Sequence, residues 1–540
     1  MSGPGGGSAT PGAGGLVRLI LRRDRVILPL WILALAALPT VYASSLAELY
    51  PTQAGLTAYA NGTASNPSMV ALLGPLHGDS LGALTVQRCG FLLAIIALAS
   101  LLTVVRHTRT EEEAGRRELL GSAALGRHAG LTAALLVTVG ADAVLGLLAA
   151  LGLLGQGLPA TGAVAFGLAV LASGAVFAAV GAVTAQLSES AGAARGLGLG
   201  VLGLAFLLRL AGDSGGRDGG LGWLSWLSPV GWVQQIRAFA GERWWVLAPA
   251  AGLAVTLAAL AYALSARRDV AAGVLPPRLG PATAAPSLRS PLALAWRLHR
   301  NALIGWSVGF GVLGTVLGGA ADAVREAADN SPDLEEILVR MGGQTGFVDA
   351  YLAGMMGLVA LGAAGYAISA ALRMRTEEAA LRSEPLLAAA VPRLRWTGGH
   401  LVFALLGPAV VLAVGGAATA LSYGAAAGDT WGQLPRVLGA ALVQLPAVWV
   451  LAGLAVALFG LVPRLTVVSW AALAACVLLG QLGAVLRLSQ ALLDVSPFTH
   501  VPRLPGGELT VPPLAWLLGV ALVLTAAGLA GFRRRDVPVS

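Results

Sequence analysis

The twelve residues Arg109-Thr110-Glu111-Glu112-Glu113-Ala114-Gly115-Arg116-Arg117-Glu118-Leu119-Leu120 stand between two long apolar runs, Leu84–Val105 and Ala129–Leu154. They return 266 residues later as Arg375-Thr376-Glu377-Glu378-Ala379-Ala380-Leu381-Arg382-Ser383-Glu384-Pro385-Leu386, behind a third such run, Asp349–Leu372. Eight of the twelve positions agree, and Arg127 answers Arg393 at the same spacing. Two more motifs keep the frame. Arg267-Arg268-Asp269-Val270 returns as Arg534-Arg535-Asp536-Val537, and Ser228-Pro229 as Ser496-Pro497, at offsets of 267 and 268. Three separated motifs in one register read as a tandem repeat.

What is repeated is a set of membrane spans. Of 540 residues, 56% are hydrophobic and 11% charged, against roughly a quarter charged in soluble domains. A soluble fold cannot hide that much apolar surface, and a disordered chain is poor in it. A bilayer core needs about 20 apolar residues per helix. Twelve runs qualify: Val26–Leu46, Leu84–Val105, Ala129–Leu154, Gly162–Gln186, Gly196–Ala211, Val246–Ser265, Ala302–Ala321, Asp349–Leu372, His400–Ala425, Arg436–Val462, Leu465–Leu486 and Pro513–Phe532. Each half holds six. An even number makes the repeats parallel, whereas inverted repeats need an odd one. The expected fold is an all-α polytopic membrane protein of about twelve transmembrane helices. Residues 1–15 read as a disordered tail, 16–270 as the first half, 271–291 as a Pro- and Ala-rich linker, and 292–540 as the second half.

Charge sets the expected orientation. The chain carries +8 and a pI of about 10.3, which in a soluble protein would suggest nucleic acid. Here the cations flank the apolar runs, so they report topology instead. With both termini inside, 25 of the 35 basic residues face the cytoplasm. All are arginine. A Walker A loop needs a lysine at its phosphates, so ATP-driven work requires another polypeptide. Cys89 and Cys476 sit in separate apolar runs and suggest neither a disulfide framework nor a metal site. Gly198, Gly200 and Gly203 fit a dinucleotide pattern but lie inside a span, where small residues serve helix packing.

The segment from Arg109 reads as a short charged helix projecting from the membrane. Thr110 and Glu113 have capping-box spacing, and Glu112 and Arg116, like Glu378 and Arg382, stand four apart. The reading is a protein-docking element; a self-satisfied loop helix is the alternative. Before each half lies a basic amphipathic stretch, Arg18 to Arg25 and Leu294 to Arg300, read as an interfacial helix. Trp223, Trp226, Trp232, Trp244 and Trp245 crowd the approach to the sixth span, as Phe498, His500 and Trp516 do the twelfth; they suit an aromatic belt. Asp142 stands mid-span, where a partnered buried acid is favoured over a functional site. Arg209 and Arg487 read as snorkelling to the outer interface.

Six spans per half, an interfacial helix, a charged helix between spans two and three and a return segment before the sixth resemble the membrane subunit of ATP-binding-cassette exporters of the type V fold. The fused twelve-span form, with both motifs doubled, resembles actinobacterial permeases for polyketide-antibiotic (tetronasin-like) or multidrug efflux. That resemblance implies two coupling helices: Arg109, Glu111, Glu112, Arg116 and Glu118, and Arg375, Glu377, Glu378, Arg382 and Glu384. It implies two copies of an ATPase subunit as partners, with ATP and Mg held there and no cofactor on this chain. It also implies re-entrant outer segments, residence in the bacterial cytoplasmic membrane, and a hydrophobic or amphipathic cargo. Trp31, Phe91, Trp306, Tyr351, Met355 and Met356 are candidate path contacts, with core or lipid-facing packing as the alternative for each. The rival function, a proton-coupled drug carrier, needs titratable groups along the path, and Asp142 is nearly the only one evident.

Overall fold

The computed structural model describes residues 11–64, 70, 73–116, 125–214, 222–269, 272–275, 282–283, 285, 288–329, 343–389, 391–482 and 489–536. Among them there is no strand. Twelve helices among the described residues are long and apolar enough to cross a membrane: Ile27–Leu49, Gly90–Glu113, Ala129–Gly155, Ala160–Leu187, Ala191–Asp213, Trp244–Arg267, Pro291–Asp322, Val348–Ala379, Arg393–Ala427, Thr430–Leu461, Pro463–Gly480 and Val511–Arg534. Each overlaps one expected run. The chain forms two compact units, Met1–Gly280 and Pro281–Ser540, divided inside the stretch read as a linker.

In the first unit the fourth span is the packing centre, lying against the third, second and sixth. The approach of the third and fourth spans depends on having no side chains at the crossing. A Cβ on Gly146 would overlap the Gly167 carbonyl oxygen, and one on Gly167 would press on the Gly146 carbonyl oxygen at 2.6 Å. Leu145, Leu153, Phe166 and Val170 fill the space around that crossing. In the second unit the seventh span packs along the ninth, and the tenth along the twelfth. Gly314 meets Gly415, and Gly460 meets Gly528. In lipid the apolar tails compete equally for side chains, so small residues that admit close backbones supply much of the association.

Three expectations change. The second span starts at Gly90, not Leu84, because Leu81–Arg88 is a separate short helix capped by the Ser80 hydroxyl. A Cβ at Gly90 would overlap the Leu73 carbonyl. The first amphipathic stretch is a separate helix, Ala13–Arg23, beginning inside the stretch read as tail. The second is not separate: Leu294, Trp296 and Arg300 belong to one continuous helix, Pro291–Asp329. Asp24 forms the turn in the first case; no such break interrupts Leu294–Arg300 in the second.

Candidate functional site

The repeated charged segments lie where the spans of each unit end. In the first unit the regular helix of the second span breaks after His107, and a five-residue helix, Arg109–Glu113, completes it. The cap expected from Thr110 is absent: Thr108 is the N-cap residue and makes no side-chain cap bond. The Thr110 hydroxyl donates instead to the Val105 carbonyl at 3.3 Å. Glu113 is used elsewhere. Its carboxylate accepts the Ala191 amide at 2.9 Å, at the first turn of the fifth span, where the helix dipole favours a negative charge.

Glu112 is fully buried and sits between two guanidinium groups. Arg109 reaches it at 2.9 Å and Arg268 at 3.0 Å. The Glu112–Arg116 pair expected from spacing is therefore replaced; Arg116 pairs with Glu111 at 2.8 Å. Glu111 also holds Arg23 of the amphipathic helix. Arg268 donates to Gln186 Oε1 at 2.7 Å, at the end of the fourth span. Arg109 donates to the Ala185 carbonyl, and both arginines donate to the Ala272 carbonyl, each at 2.9 Å. Burial lowers the Arg268 pKa, yet an arginine with an acidic partner stays charged. Beneath the junction the Asp24 carboxylate accepts from Arg106 at 2.9 Å and lies 2.7 Å from His107 Nε2. The ends of spans two, four and six thus meet on a buried set of charges.

The second unit repeats the pairing on a different backbone. Its charged segment is no separate helix but the last turn of Gly343–Ala379. Glu378 lies 2.9 Å from Arg535 and 3.9 Å from Arg375. Glu377 pairs with Arg373 at 2.9 Å and Arg382 at 3.8 Å, in place of the expected Glu378–Arg382 pair. Arg535 also lies over the Phe459 and Phe532 rings, at 5.3 and 5.5 Å, a contact that steadies a cation. Glu384 opens the short helix Glu384–Ala388. So in each unit the second arginine of Arg-Arg-Asp-Val meets the second glutamate of Arg-Thr-Glu-Glu. Arg116 and Arg382 remain about half exposed, at 48% and 57%. Glu118 lies outside the described residues, as does Arg487.

The proposed path residues fall into three surroundings. Met356 is fully buried, and Trp306, Tyr351 and Met355 pack on the same second-unit core. Trp31 packs on a first-unit core. Phe91 is exposed and meets Phe206 edge-on at 5.8 Å. Asp142 is buried and accepts the Ser100 hydroxyl at 2.8 Å, the partnered acid expected. Gly174 faces its carboxylate so closely that a Cβ there would overlap it. Asp142→Asn keeps both the shape and the oxygen that accepts from Ser100.

Arg209 corrects its expectation. It does not snorkel: its side chain is fully buried, 3.8 Å from Asp213, with Nη1 donating to Gln234 Oε1 at 3.3 Å. The segment before the sixth span folds back over it. There Ser225 donates to Asp213 at 2.6 Å, and Ser228 both caps Pro229–Gln234 and donates to the Ala205 carbonyl at 2.7 Å. A signal for the pair was present: Asp213 stands one helical turn after Arg209, near enough to join it on one face. His299 and His400, 3.0 Å apart, are a further pair that the sequence reading missed. Asp142 is therefore not nearly alone among ionisable groups in the spans.

The chain is 46% identical over 535 residues to the multidrug efflux system permease protein Rv1217c of Mycobacterium tuberculosis, a match covering 99% of this chain and 97% of that protein. Residues 288–533 also match the family profile described as "Multidrug efflux system permease Rv1217c, C-terminal domain".

Proposed function

We propose, because this chain belongs to the multidrug efflux system permease family, that it exports hydrophobic or amphipathic small molecules, drugs and antibiotics among them, across the cytoplasmic membrane. The observation that carries this reading is the near-complete match in length and sequence to a permease of that name. The chain is a multi-pass membrane protein. Its energy comes from a separate ATPase, of which two copies dock, one on each charged segment. ATP and Mg belong to that partner. Both termini lie in the cytoplasm, on the side of most arginines. The absence of lysine supports a borrowed motor, and the recurrence of the same acid–arginine junction at two span ends supports two docking points.

The test is ethidium efflux from a sensitive host expressing the chain with and without an ATP-binding-cassette ATPase subunit from the same genome. Block by vanadate, with insensitivity to a protonophore, upholds the reading. Efflux by the chain alone, abolished by the protonophore, establishes the proton-coupled alternative. Docking is best probed at residues free to touch a partner. Arg116→Glu with Arg382→Glu is expected to lower efflux about tenfold or more, since charge complementarity sets partner choice, at unchanged protein level. Pull-down of the ATPase by the double variant checks the cause; undiminished capture and efflux would rule out docking there.

A further inference from the structure

Two motifs far apart in sequence come together in both units, and the docking reading does not explain why. The Arg268–Glu112 and Arg535–Glu378 contacts join the charged segment after the second or eighth span to the end of the sixth or twelfth. In each pair the glutamate is buried, and the arginine makes further contacts that fix it, to Gln186 and Ala272 in one unit and to two phenylalanine rings in the other. The surrounding backbone differs: a separate five-residue helix in the first unit, the last turn of a long helix in the second. The same contact on unlike backbones indicates that the joint itself is what matters.

We infer that Arg268 and Arg535 are positioning residues, each locking the end of its unit's last span to the docking segment so that the two move as one body during the transport cycle. The inference rests on the docking reading for what drives the motion, but the joint is a property of this chain. Separating the pair is costly, because the buried glutamate would keep only the arginine of its own segment, Arg109 in one unit and Arg375 at 3.9 Å in the other, while the arginine of the last span would lose its anion. A push on the docking segment therefore reaches the last span without slack.

The test uses the second pair, in full-length chain with Cys89→Ala and Cys476→Ala. Glu378→Cys with Arg535→Cys breaks the joint, and 1,4-butanediyl bis-methanethiosulfonate rebuilds it reversibly. In everted vesicles containing the ATPase, the unbridged variant is expected to bind ethidium within about twofold of the parent yet transport it about tenfold more slowly or worse, the loss that a slack buried pair implies. Bridging restores transport, and reductant removes it again. Transport at the parental rate without the bridge, failure of a complete bridge to restore it, or binding lost in step with transport would overturn the inference. Amide hydrogen exchange on the solubilised chain provides a measure independent of any motor. Arg535→Gln should raise exchange together in the segments around Glu378 and Phe532; a rise in one alone also overturns it. A parent that moves ethidium only on a proton gradient would refute the ATPase reading while the exchange measurement still decides the joint.

Discussion

Glu112→Ala is expected to destabilise the first unit by about 3–5 kcal/mol, the scale for removing one member of a buried ion pair. The change leaves Arg109 and Arg268 facing each other, both buried, with no anion between them. Their carbonyl acceptors at Ala185 and Ala272 remain, but a carbonyl does not neutralise a guanidinium. The junction must then open to water, releasing the end of the sixth span. Glu111→Ala removes a partly exposed partner of Arg23 and Arg116, and exposed pairs contribute about 1 kcal/mol or less. The melting temperature of the solubilised protein should therefore fall far more for Glu112→Ala than for its neighbour. Equal shifts would contradict the buried placement. Charge reversal at Glu112 would act the same way, undoing the joint before any question of docking arises, which is why Arg116 and Arg382 are the better probes of a partner.

Gly460→Leu is expected to be as severe, through packing alone. Gly460 lies in the tenth span against Gly528 of the twelfth, and a Cβ there would overlap the Gly528 carbonyl oxygen. The obstruction is backbone, so no rotamer change relieves it; the helices must separate. Separation would undo the neighbouring contact at Gly453, whose own Cβ would stand 2.9 Å from the Ala521 carbonyl. Overpacking typically costs about 1–3 kcal/mol and occasionally more; a backbone obstruction puts this site at the upper end, and close approach is what holds helices together in lipid. Gly439→Leu, in the same span, is the control, since a Cβ there meets nothing within 4 Å. Monodisperse protein should be recovered from the control and not from Gly460→Leu; similar recovery from both would refute the close crossing.

The spans were legible because about 20 consecutive apolar residues have no other use on this scale. Their ends were less so. Whether Leu294–Arg300 forms its own helix depends on a turn such as the one at Asp24, and nothing in its composition marks the difference. The charged segments were legible as repeats but not as geometry. Spacing favours local pairs, and Glu112 with Arg116 satisfies it; the true partners are Arg109, three residues back, and Arg268, 156 residues away. The doubling of Arg-Arg-Asp-Val at almost the same offset was the available clue that the two motifs belong together. Arg209 was misread for a related reason. Leu-Arg-Leu near a span end suits snorkelling, and only the returning segment with Ser225 and Gln234 shows that the position is enclosed.

The unbroken helix Pro291–Asp329 has 39 residues and so runs about 58 Å, well beyond a hydrocarbon core of about 30 Å. The first span, by contrast, bends away from its amphipathic leader at Asp24. The apolar run of the longer helix, Ala302–Ala321, is about 30 Å long and fits that core, so the polar ends continue the same rod into the aqueous layers on either side. Any tilt of this span therefore carries both overhangs with it like a lever, whereas the elbow at Asp24 lets the first span lean without dragging its leader.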